Sequence, residues 1–98
     1  HIRRRNMVRI HSLRRGAAEA IEAVALGDKR SSKVVGRAIE DIDLPQGTTS
    51  PAIVRGEEVI IAHHDTVIHA DDHVILFVAV MRQIAAVARL FQVGSILI

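Results

Sequence analysis

The sequence contains no cysteine, tryptophan or tyrosine, and its only aromatic residues are two phenylalanines in 98 residues. The absence of cysteine excludes disulfides, thiolate catalysis and zinc sites built on cysteine. The scarcity of aromatic rings argues against a stacking platform for single-stranded nucleic acid, which needs several aromatic faces. The longest uninterrupted apolar run, residues 74–81, is eight residues long. A transmembrane helix needs about 20, so no membrane span is predicted.

The six glycines never cluster, and no G-x-G-x-x-G motif occurs. That motif supplies the backbone cradle for a dinucleotide pyrophosphate, so no such site is predicted in this chain. The serines lie in no recognisable nucleophile elbow, and the carboxylates lie in stretches typical of solvated turns. No catalytic residues are therefore predicted, and the chain is not expected to be an enzyme.

Isoleucine and valine together account for 25 residues, and hydrophobic residues make up 49% of the chain. This composition excludes intrinsic disorder, and it favours β-strands because β-branched side chains fit a pleated, half-buried surface. The length allows one domain with one core. The chain begins at a histidine in a basic run that no apolar segment follows, which predicts a piece of a larger protein without a signal peptide. A cytoplasmic setting is therefore expected.

Charge is distributed unevenly along the chain. Residues 1–37 carry ten Lys or Arg and three acidic residues, a net of +7, whereas residues 38–98 carry a net of −5. A basic arm can mark a nucleic-acid-binding surface. No helix-turn-helix, zinc or aromatic pattern accompanies this one. A solvated face, or the charged end of an element from a larger protein, is therefore the leading interpretation, and nucleic-acid binding stays an alternative.

Period-two patterns and β-branched runs predict several strands. Residues 7–13 alternate in their central part. The runs at 48–54 and 59–62 are typical of a hairpin with a four-residue connection. Residues 65–68 continue extended. Residues 74–80 show no polar alternation, which predicts a central strand buried on both faces.

Apolar residues at helical spacing predict two short amphipathic helices, at residues 32–42 and 82–91. Residues 17–26 are ambiguous, and their Ala and Glu content favours helix on propensity alone. Together, the predicted strands and helices give an α+β fold with a mainly antiparallel β-sheet of about five or six strands and two short helices. An open sheet of this size has an edge to protect, and pairing across a dimer is one solution.

Four segments, taken in order, resemble a known family: HSLRRGAAEAIEA, VVGRAIEDIDLPQGTT, AIVRGEEVIIAHHDTVI and DDHVILF. The ordered set is similar to the C-terminal domain of the TrkA family of potassium uptake proteins over about residues 7–92. One turn departs from the family, which usually has Gly-Asp where this chain has Asp71 and Asp72. Because Asp tolerates the left-handed backbone region better than most residues, the turn is expected to survive.

The resemblance implies an organisation of the chain. Residues 1–6 would be the end of a linker or crossover helix from a Rossmann half, residues 7–92 the TrkA-C-like domain, and residues 93–98 a C-terminal tail. It also places residues 17–26 in a strand, which forms a β-hairpin with the preceding strand around residues 14–16. Tertiary context can override a helix propensity of a few tenths of a kcal/mol per residue.

The resemblance also implies a function. Proteins of this type are cytoplasmic regulators on the inner face of a membrane potassium transporter. Their C-terminal half is associated with dimerisation and, in some relatives, with sensing a small ligand. NAD(H) is expected only in the Rossmann half, and no cofactor is expected in this chain. The implied partners are a second copy, the Rossmann half of the same protein and the transporter subunit, with no nucleic acid.

Three arginines are candidates for binding an anionic effector, because related domains bind effectors in the cleft of the C-terminal dimer. They are Arg14, Arg37 and Arg55. A guanidinium group can form charge-assisted hydrogen bonds with such a ligand. For each arginine the alternative is a surface position or a local ion pair.

Four histidines lie within eleven residues, and three aspartates accompany them: His63, His64, His69, His73, Asp65, Asp71 and Asp72. Imidazole and carboxylate groups are zinc ligands. The spacing matches no compact helical ligand pair, however, and the resemblance carries no metal site. No metal ligands are therefore predicted, and a metal-responsive or pH-responsive cluster stays an alternative.

Overall fold

The computed structural model of the chain describes residues 8–12 and 19–93. These residues form one five-stranded sheet with the spatial order β1-β2-β5-β3-β4, and every pairing in it is antiparallel. This confirms the predicted α+β class with a mainly antiparallel sheet. The strands are β1 (Val8–Ser12), β2 (Glu19–Val24), β3 (Thr48–Arg55), β4 (Glu58–Ile61) and β5 (His73–Val78), and the helix is α1 (Ile84–Leu90).

Strand β2 confirms the assignment that the family resemblance made against helix propensity. It lies between β1 and β5, and its side chains alternate between a buried inner face and a half-buried outer face. Ile21 and Ala23 are fully buried on the inner face. The gain from burying this face between two partner strands exceeds the small helix preference of Ala and Glu. The turn at residues 14–16 lies outside the described residues.

Strand β5 lies at the centre of the sheet, as predicted, but the expected burial on both faces is wrong. Val74, Leu76 and Val78 are buried on the inner face. On the other face, Ile75 is half-buried and Phe77 is 44% exposed. In the part of the chain that the structure describes, the core forms on one side of the sheet only. A continuous apolar run therefore does not establish that both faces are covered.

The predicted hairpin of β3 and β4 is confirmed, although its connection is shorter than expected. Arg55 pairs directly with Glu58, so only Gly56 and Glu57 form the turn. Gly56 has φ = 61°, which matches the first central position of a type II′ turn. This turn twists in the same sense as the strands it joins, so each strand extends one residue further into the turn than the β-branched runs indicate.

The predicted amphipathic helix over residues 32–42 is wrong. Only Ile39–Asp41 is helical, as a single 3-10 turn. The hydroxyl of Ser32 accepts hydrogen bonds from the N–H groups of Val34 and Val35, which offers the backbone an alternative to helix. Gly36 then adopts φ = 82°, a left-handed conformation that interrupts any right-handed helix. The apolar residues that suggested a helical stripe contribute to the core nevertheless.

The predicted C-terminal helix is confirmed as a 3-10 turn at Met81–Gln83 followed by α1. Val87 and Phe91 from this region belong to the same buried cluster as the inner face of the sheet. Helix and loops thus cover one side of the sheet. Over residues 65–68 the only pairing is an isolated bridge between Val67 and Ala38. No helix among the described residues has the length and apolar character needed to cross a membrane.

Candidate functional site

Arg55, at the end of β3, forms a bidentate ion pair with Asp72, just before β5. Its Nε donates to Oδ1 at 2.8 Å, and its Nη2 donates to Oδ2 at 2.9 Å. Nη2 also donates to the carbonyl of Val67 at 3.1 Å. The Asp72 side chain is fully buried, whereas that of Arg55 is 33% exposed. One of the three predicted effector ligands therefore forms the local ion pair that was its alternative.

The surroundings of Asp72 favour its charged form. Burial acts to raise the pKa of this carboxyl, but the hydrogen bonds from Arg55 and from the backbone N–H of His69 outweigh burial and hold the pKa below its ordinary value. The same contact with Asp72 raises the pKa of Arg55 above its usual value. Both groups are thus ionised at neutral pH, and the pair joins β3, the loop before β5 and β5 itself.

The turn that presents Asp72 is built on Asp71. Asp71 has φ = 72°, the left-handed conformation anticipated for this departure from the family pattern. Its N–H donates to the carbonyl of Ala25 at 2.6 Å, and the N–H of Ala25 donates to the carbonyl of Asp72 at 2.8 Å. This reciprocal pair ties the turn to the chain that leaves β2, so Asp72 lies at a junction of three strands.

Arg37 stabilises a loop through hydrogen bonds to backbone carbonyls, and it forms no ion pair among the described residues. Its Nη1 donates to the carbonyls of Ser32 and Val35 at 2.7 and 3.2 Å, and its Nη2 donates to the carbonyl of Lys29 at 3.4 Å. The backbone carbonyl of Arg37 accepts from the N–H of Ile68. Because Arg55 contacts Val67, the segment 67–68 links both arginines. Arg14, the third candidate, lies outside the described residues.

Arg37 and Arg55 each keep N–H groups that could bind a ligand. Within the described residues, Nη1 of Arg55 and Nε of Arg37 make no hydrogen bond. The loop beside Arg37 also exposes Lys29, Arg30 and Lys33. These groups make the loop positively charged, and charge-assisted hydrogen bonds to an anion are the chemistry that it can offer.

The loop owes its shape to Asp28. One carboxylate oxygen of Asp28 accepts from the N–H groups of Arg30 and Ser31 and from the Ser31 hydroxyl, at 2.9 to 3.1 Å. The backbone bond from Ser31 is the main cause that lowers the pKa of Asp28, and the Ser31 hydroxyl and the Arg30 N–H add to it. An Asx turn therefore presents the basic side chains on a defined backbone.

The four histidines do not form a metal centre in the part of the chain that the structure describes, where no three potential ligands converge. Two of them pair separately with glutamates. His64 Nδ1 lies 3.1 Å from Glu40 Oε1 on an exposed surface. His73 Nδ1 lies 2.6 Å from Glu22 Oε2 on the outer face of the sheet.

The outer face of the sheet is apolar beside the Glu22–His73 pair. Phe77 lies there on β5, and Val59 and Ile61 lie there on β4 with exposed fractions of 63% and 64%. Large exposed hydrophobic residues mark interaction surfaces when they are contiguous. The outer face is therefore a candidate interface, distinct from the arginine loop on the other side.

Two buried oxygens lack partners within the described residues: Oε2 of Glu19 and Oγ1 of Thr48. In the sheet register, both residues pair with Val78, from opposite sides. Glu19 is 7% exposed and lies on the inner face with Ile21. Buried polar atoms without partners are uncommon, so this end of the sheet carries a desolvation cost that no hydrogen bond among the described residues offsets.

Sequence reasoning missed Asp72 as a structural anchor. In the sequence, Asp72 follows Asp71 in a turn, and such a pair is typical of solvated carboxylates. The signal that could have found it is the left-handed turn expected at Asp71. Such a turn places Asp72 against β3, and a carboxylate can be buried there only when a cationic side chain pairs with it.

A family model of the TrkA-C domain matches residues 28–92. Several proteins named Trk system potassium uptake protein TrkA are similar to this chain. The protein from Halomonas elongata is 68% identical over 94 residues, which are 96% of this chain and 21% of the relative. The protein from Vibrio alginolyticus is 63% identical over 92 residues, 94% of this chain and 20% of the relative.

The third relative, from Haemophilus influenzae, is 36% identical over 98 residues, all of this chain and 21% of the relative. The chain therefore spans about a fifth of the length of these relatives. The family match covers most of the described core and includes β3, β4, β5 and α1. The chain belongs to the TrkA-C domain family.

Proposed function

We propose that the chain is a non-catalytic regulatory and dimerisation module of a TrkA-type component of a potassium uptake system. The observation that carries this proposal is the TrkA-C match over residues 28–92, together with 68% identity to a TrkA protein. In this proposal, residues 7–92 form the domain, residues 1–6 connect it to a Rossmann half, and residues 93–98 are a tail.

The proposal includes partners and a location. The module works in the cytoplasm on the inner face of the membrane, where its protein controls a potassium transporter subunit. It dimerises with a second copy, and NAD(H) binds only in the Rossmann half of the same protein. Titration of this chain with NADH is accordingly expected to give no binding heat, whereas saturable binding would place a nucleotide site in this module.

A chimaera tests the regulatory role. The matching C-terminal segment of the Halomonas elongata relative would be replaced by this chain, and the chimaera expressed in a bacterium that lacks its own TrkA. We expect growth at limiting potassium to be restored to the level of the intact relative. A relative truncated before this segment is the control. Growth no better than that of the truncated control would contradict the proposal.

A small anionic effector is the second part of the proposal, with Arg14, Arg37 and Arg55 as its ligands. The exposed basic loop and the unused guanidinium N–H groups support it. Calorimetric titration with ATP and with inorganic phosphate would test it. Arg37→Gln is expected to weaken binding at least tenfold, and Arg82→Gln, at an exposed site on the C-terminal segment, serves as the control. Equal affinities would remove Arg37 from the site.

Nucleic-acid binding by the basic arm, residues 1–37 with their net charge of +7, is the alternative. Fluorescence anisotropy with a labelled DNA duplex distinguishes the two. Binding to phosphates would weaken steeply between about 50 mM and 200 mM salt. We expect no binding to the duplex even at the lower salt concentration. A steep salt dependence would instead favour the alternative.

A further inference from the structure

The basic loop presents its charged side chains on the solvent side of a single turn. The N–H of Ser32 donates to the carbonyl of Asp28 at 2.8 Å, which is the bond that closes one turn of an α-helix. The Ser32 side chain is buried, so this side of the turn faces the core. At about 100° per residue, Lys29, Arg30 and Lys33 then lie within roughly a third of the circumference, away from Ser32. All three side chains are exposed.

The stem of Lys29 packs against the fold while its charge stays at the surface. A Cβ placed on Gly36 would lie 3.2 Å from both Cγ and Cδ of Lys29, so the aliphatic stem lies across this glycine. Lysine commonly buries its stem in this way and keeps its ammonium group in water. The carbonyl of Lys29 accepts from Arg37 at 3.4 Å. The backbone of the turn is therefore held in place independently of the charged ends of its side chains.

The end of α1 continues this positively charged surface. A Cβ placed on Gly27, the residue before Asp28, would lie 3.2 Å from Cγ1 of Val93. The chain that leaves α1 therefore lies next to the loop, and Arg89 in the last turn of α1 is exposed. Val87 on the same helix is buried, which turns Arg89 towards solvent. We define the basic face as Lys29, Arg30, Lys33 and Arg89.

The acidic residue of the loop leaves most of this charge in place. One oxygen of Asp28 already accepts three hydrogen bonds within the loop. Four cations with one carboxylate leave a net charge of +3. Residues 74–98, which include α1, contain no acidic residue. The basic face therefore has an excess of positive charge that the loop and the helix do not neutralise themselves.

We propose that the basic face binds the surface of an anionic phospholipid bilayer, with its cations among the headgroup phosphates. Clusters of about four to eight Lys or Arg residues are typical of such binding. The inference rests on the location in the proposed function, and it adds a direct contact with lipid to the contact with the transporter subunit. Because charge alone provides the attraction, binding is reversible and sensitive to salt.

The arrangement of the cations favours a bilayer over a nucleic acid or a single small anion. They lie on one turn and on a seven-residue helix, and no aromatic residue lies in the loop to stack on a base. A lysine ammonium is a mobile point charge, which suits a layer of many headgroups better than one bidentate ligand. Side chains that spread around a turn also meet several phosphates rather than converge on one.

Co-sedimentation of the full chain with sucrose-loaded vesicles tests the inference. Vesicles of phosphatidylglycerol and phosphatidylethanolamine in equal parts would be compared with vesicles of phosphatidylcholine. We expect at least tenfold stronger binding to the anionic vesicles at about 50 mM salt, and a loss of most of this difference by about 200 mM. Equal binding to the two kinds of vesicle would overturn the inference.

A matched pair of variants assigns the binding to the basic face. Lys29→Gln with Arg30→Gln removes two charges and leaves the backbone bonds of the turn intact, and we expect at least tenfold weaker binding. Arg3→Gln with Arg4→Gln removes the same charge from the N-terminal basic run and should change binding less than twofold. Equal losses would show that net charge alone decides binding, which contradicts the inference. Far-UV circular dichroism confirms that each variant folds.

Two further arms separate headgroups from other sources of phosphate. Replacing chloride with inorganic phosphate at constant ionic strength should leave vesicle binding unchanged, whereas competition would show a discrete phosphate site and overturn the inference. Binding to the DNA duplex that Lys29→Gln with Arg30→Gln abolishes would assign the face to nucleic acid, with the same consequence.

Failure of this inference and failure of the proposed function are distinguishable. A chimaera that restores growth although the chain binds no anionic vesicles overturns the lipid contact and leaves the regulatory role in place. A chain that binds vesicles as expected in a chimaera that restores no growth supports the lipid contact and contradicts the regulatory role.

Discussion

Arg55 and Asp72 form the one ion pair among the described residues in which a carboxylate is fully buried. The two partners differ in exposure, because the guanidinium reaches water and the carboxylate does not. Removing one partner from a buried pair leaves the other uncompensated. The consequence of a substitution therefore depends on which partner is removed.

We expect Arg55→Met to destabilise the chain more than Asp72→Asn. Arg55→Met leaves a buried carboxylate that keeps only the N–H of His69, at a cost of about 3–5 kcal/mol. Asp72→Asn leaves an arginine that can turn into water, so we expect roughly 1–3 kcal/mol. Urea unfolding at pH 7 measures both. The double variant Arg55→Met with Asp72→Leu should recover much of the loss, and an Asn variant less stable than the Met variant would contradict this ordering.

The lowered pKa of Asp72 makes this stabilisation depend on pH. A carboxyl whose folded pKa lies below its unfolded value, about 3.9, stabilises the fold fully above that value and loses the effect as pH falls through the folded pKa. The difference in unfolding free energy between wild type and Asp72→Asn should therefore be constant from pH 7 to about 5 and shrink below about 4. A difference that does not change between pH 7 and pH 3 would show that the pair contributes no charge effect.

Asp71 occupies a left-handed conformation that glycine adopts without strain. A β-branched residue there should cost about 1–2 kcal/mol, because its Cβ approaches the following carbonyl oxygen. We expect Asp71→Val to lower the free energy of unfolding by this amount, as measured by thermal unfolding. Asp71→Gly should stay within about 1 kcal/mol of wild type. Ala70→Val, at the exposed neighbouring position with negative φ, is the control. An equal loss at both positions would refute the role of backbone strain.

Glu19 provides a test of a buried oxygen that has no hydrogen-bond partner in the part of the chain that the structure describes. Replacing an unsatisfied buried polar group with an apolar one of similar size removes a desolvation cost of about 1–3 kcal/mol. We expect Glu19→Met to raise the urea midpoint. Glu22→Met, on the outer face of the same strand, removes the contact with His73 and should not raise it. A lower midpoint for Glu19→Met would show that the carboxylate contributes a favourable interaction.

Patterns that rest on neighbouring residues were predictable from the sequence. The β3–β4 hairpin and the C-terminal helix follow from periodicity within one segment, and both are present. Strand β2 was not predictable from its own residues, because its partner β5 lies far along the chain and Ala and Glu favour helix locally. Only the resemblance to the TrkA-C family supplied that partner.

The helix predicted over residues 32–42 failed for a different reason. Its apolar spacing was correct, and Val35 and Ile42 are buried. However, a Ser side chain and a glycine at positive φ decided the backbone, and periodicity does not detect either effect. The contact of Arg55 with Asp72 was similarly hidden, since it joins residues seventeen positions apart whose pairing depends on the whole sheet.

The order of the strands sets a minimum length for an independent folding unit. The family match begins at residue 28, after β2 has ended, yet β2 is the neighbour of the central strand β5. A chain trimmed to residues 28–92 would lose Ile21 and Ala23 from the core and turn β5 into a bare edge. The region that the family model matches is therefore shorter than the piece of polypeptide that closes this core, and any excised version must include β2.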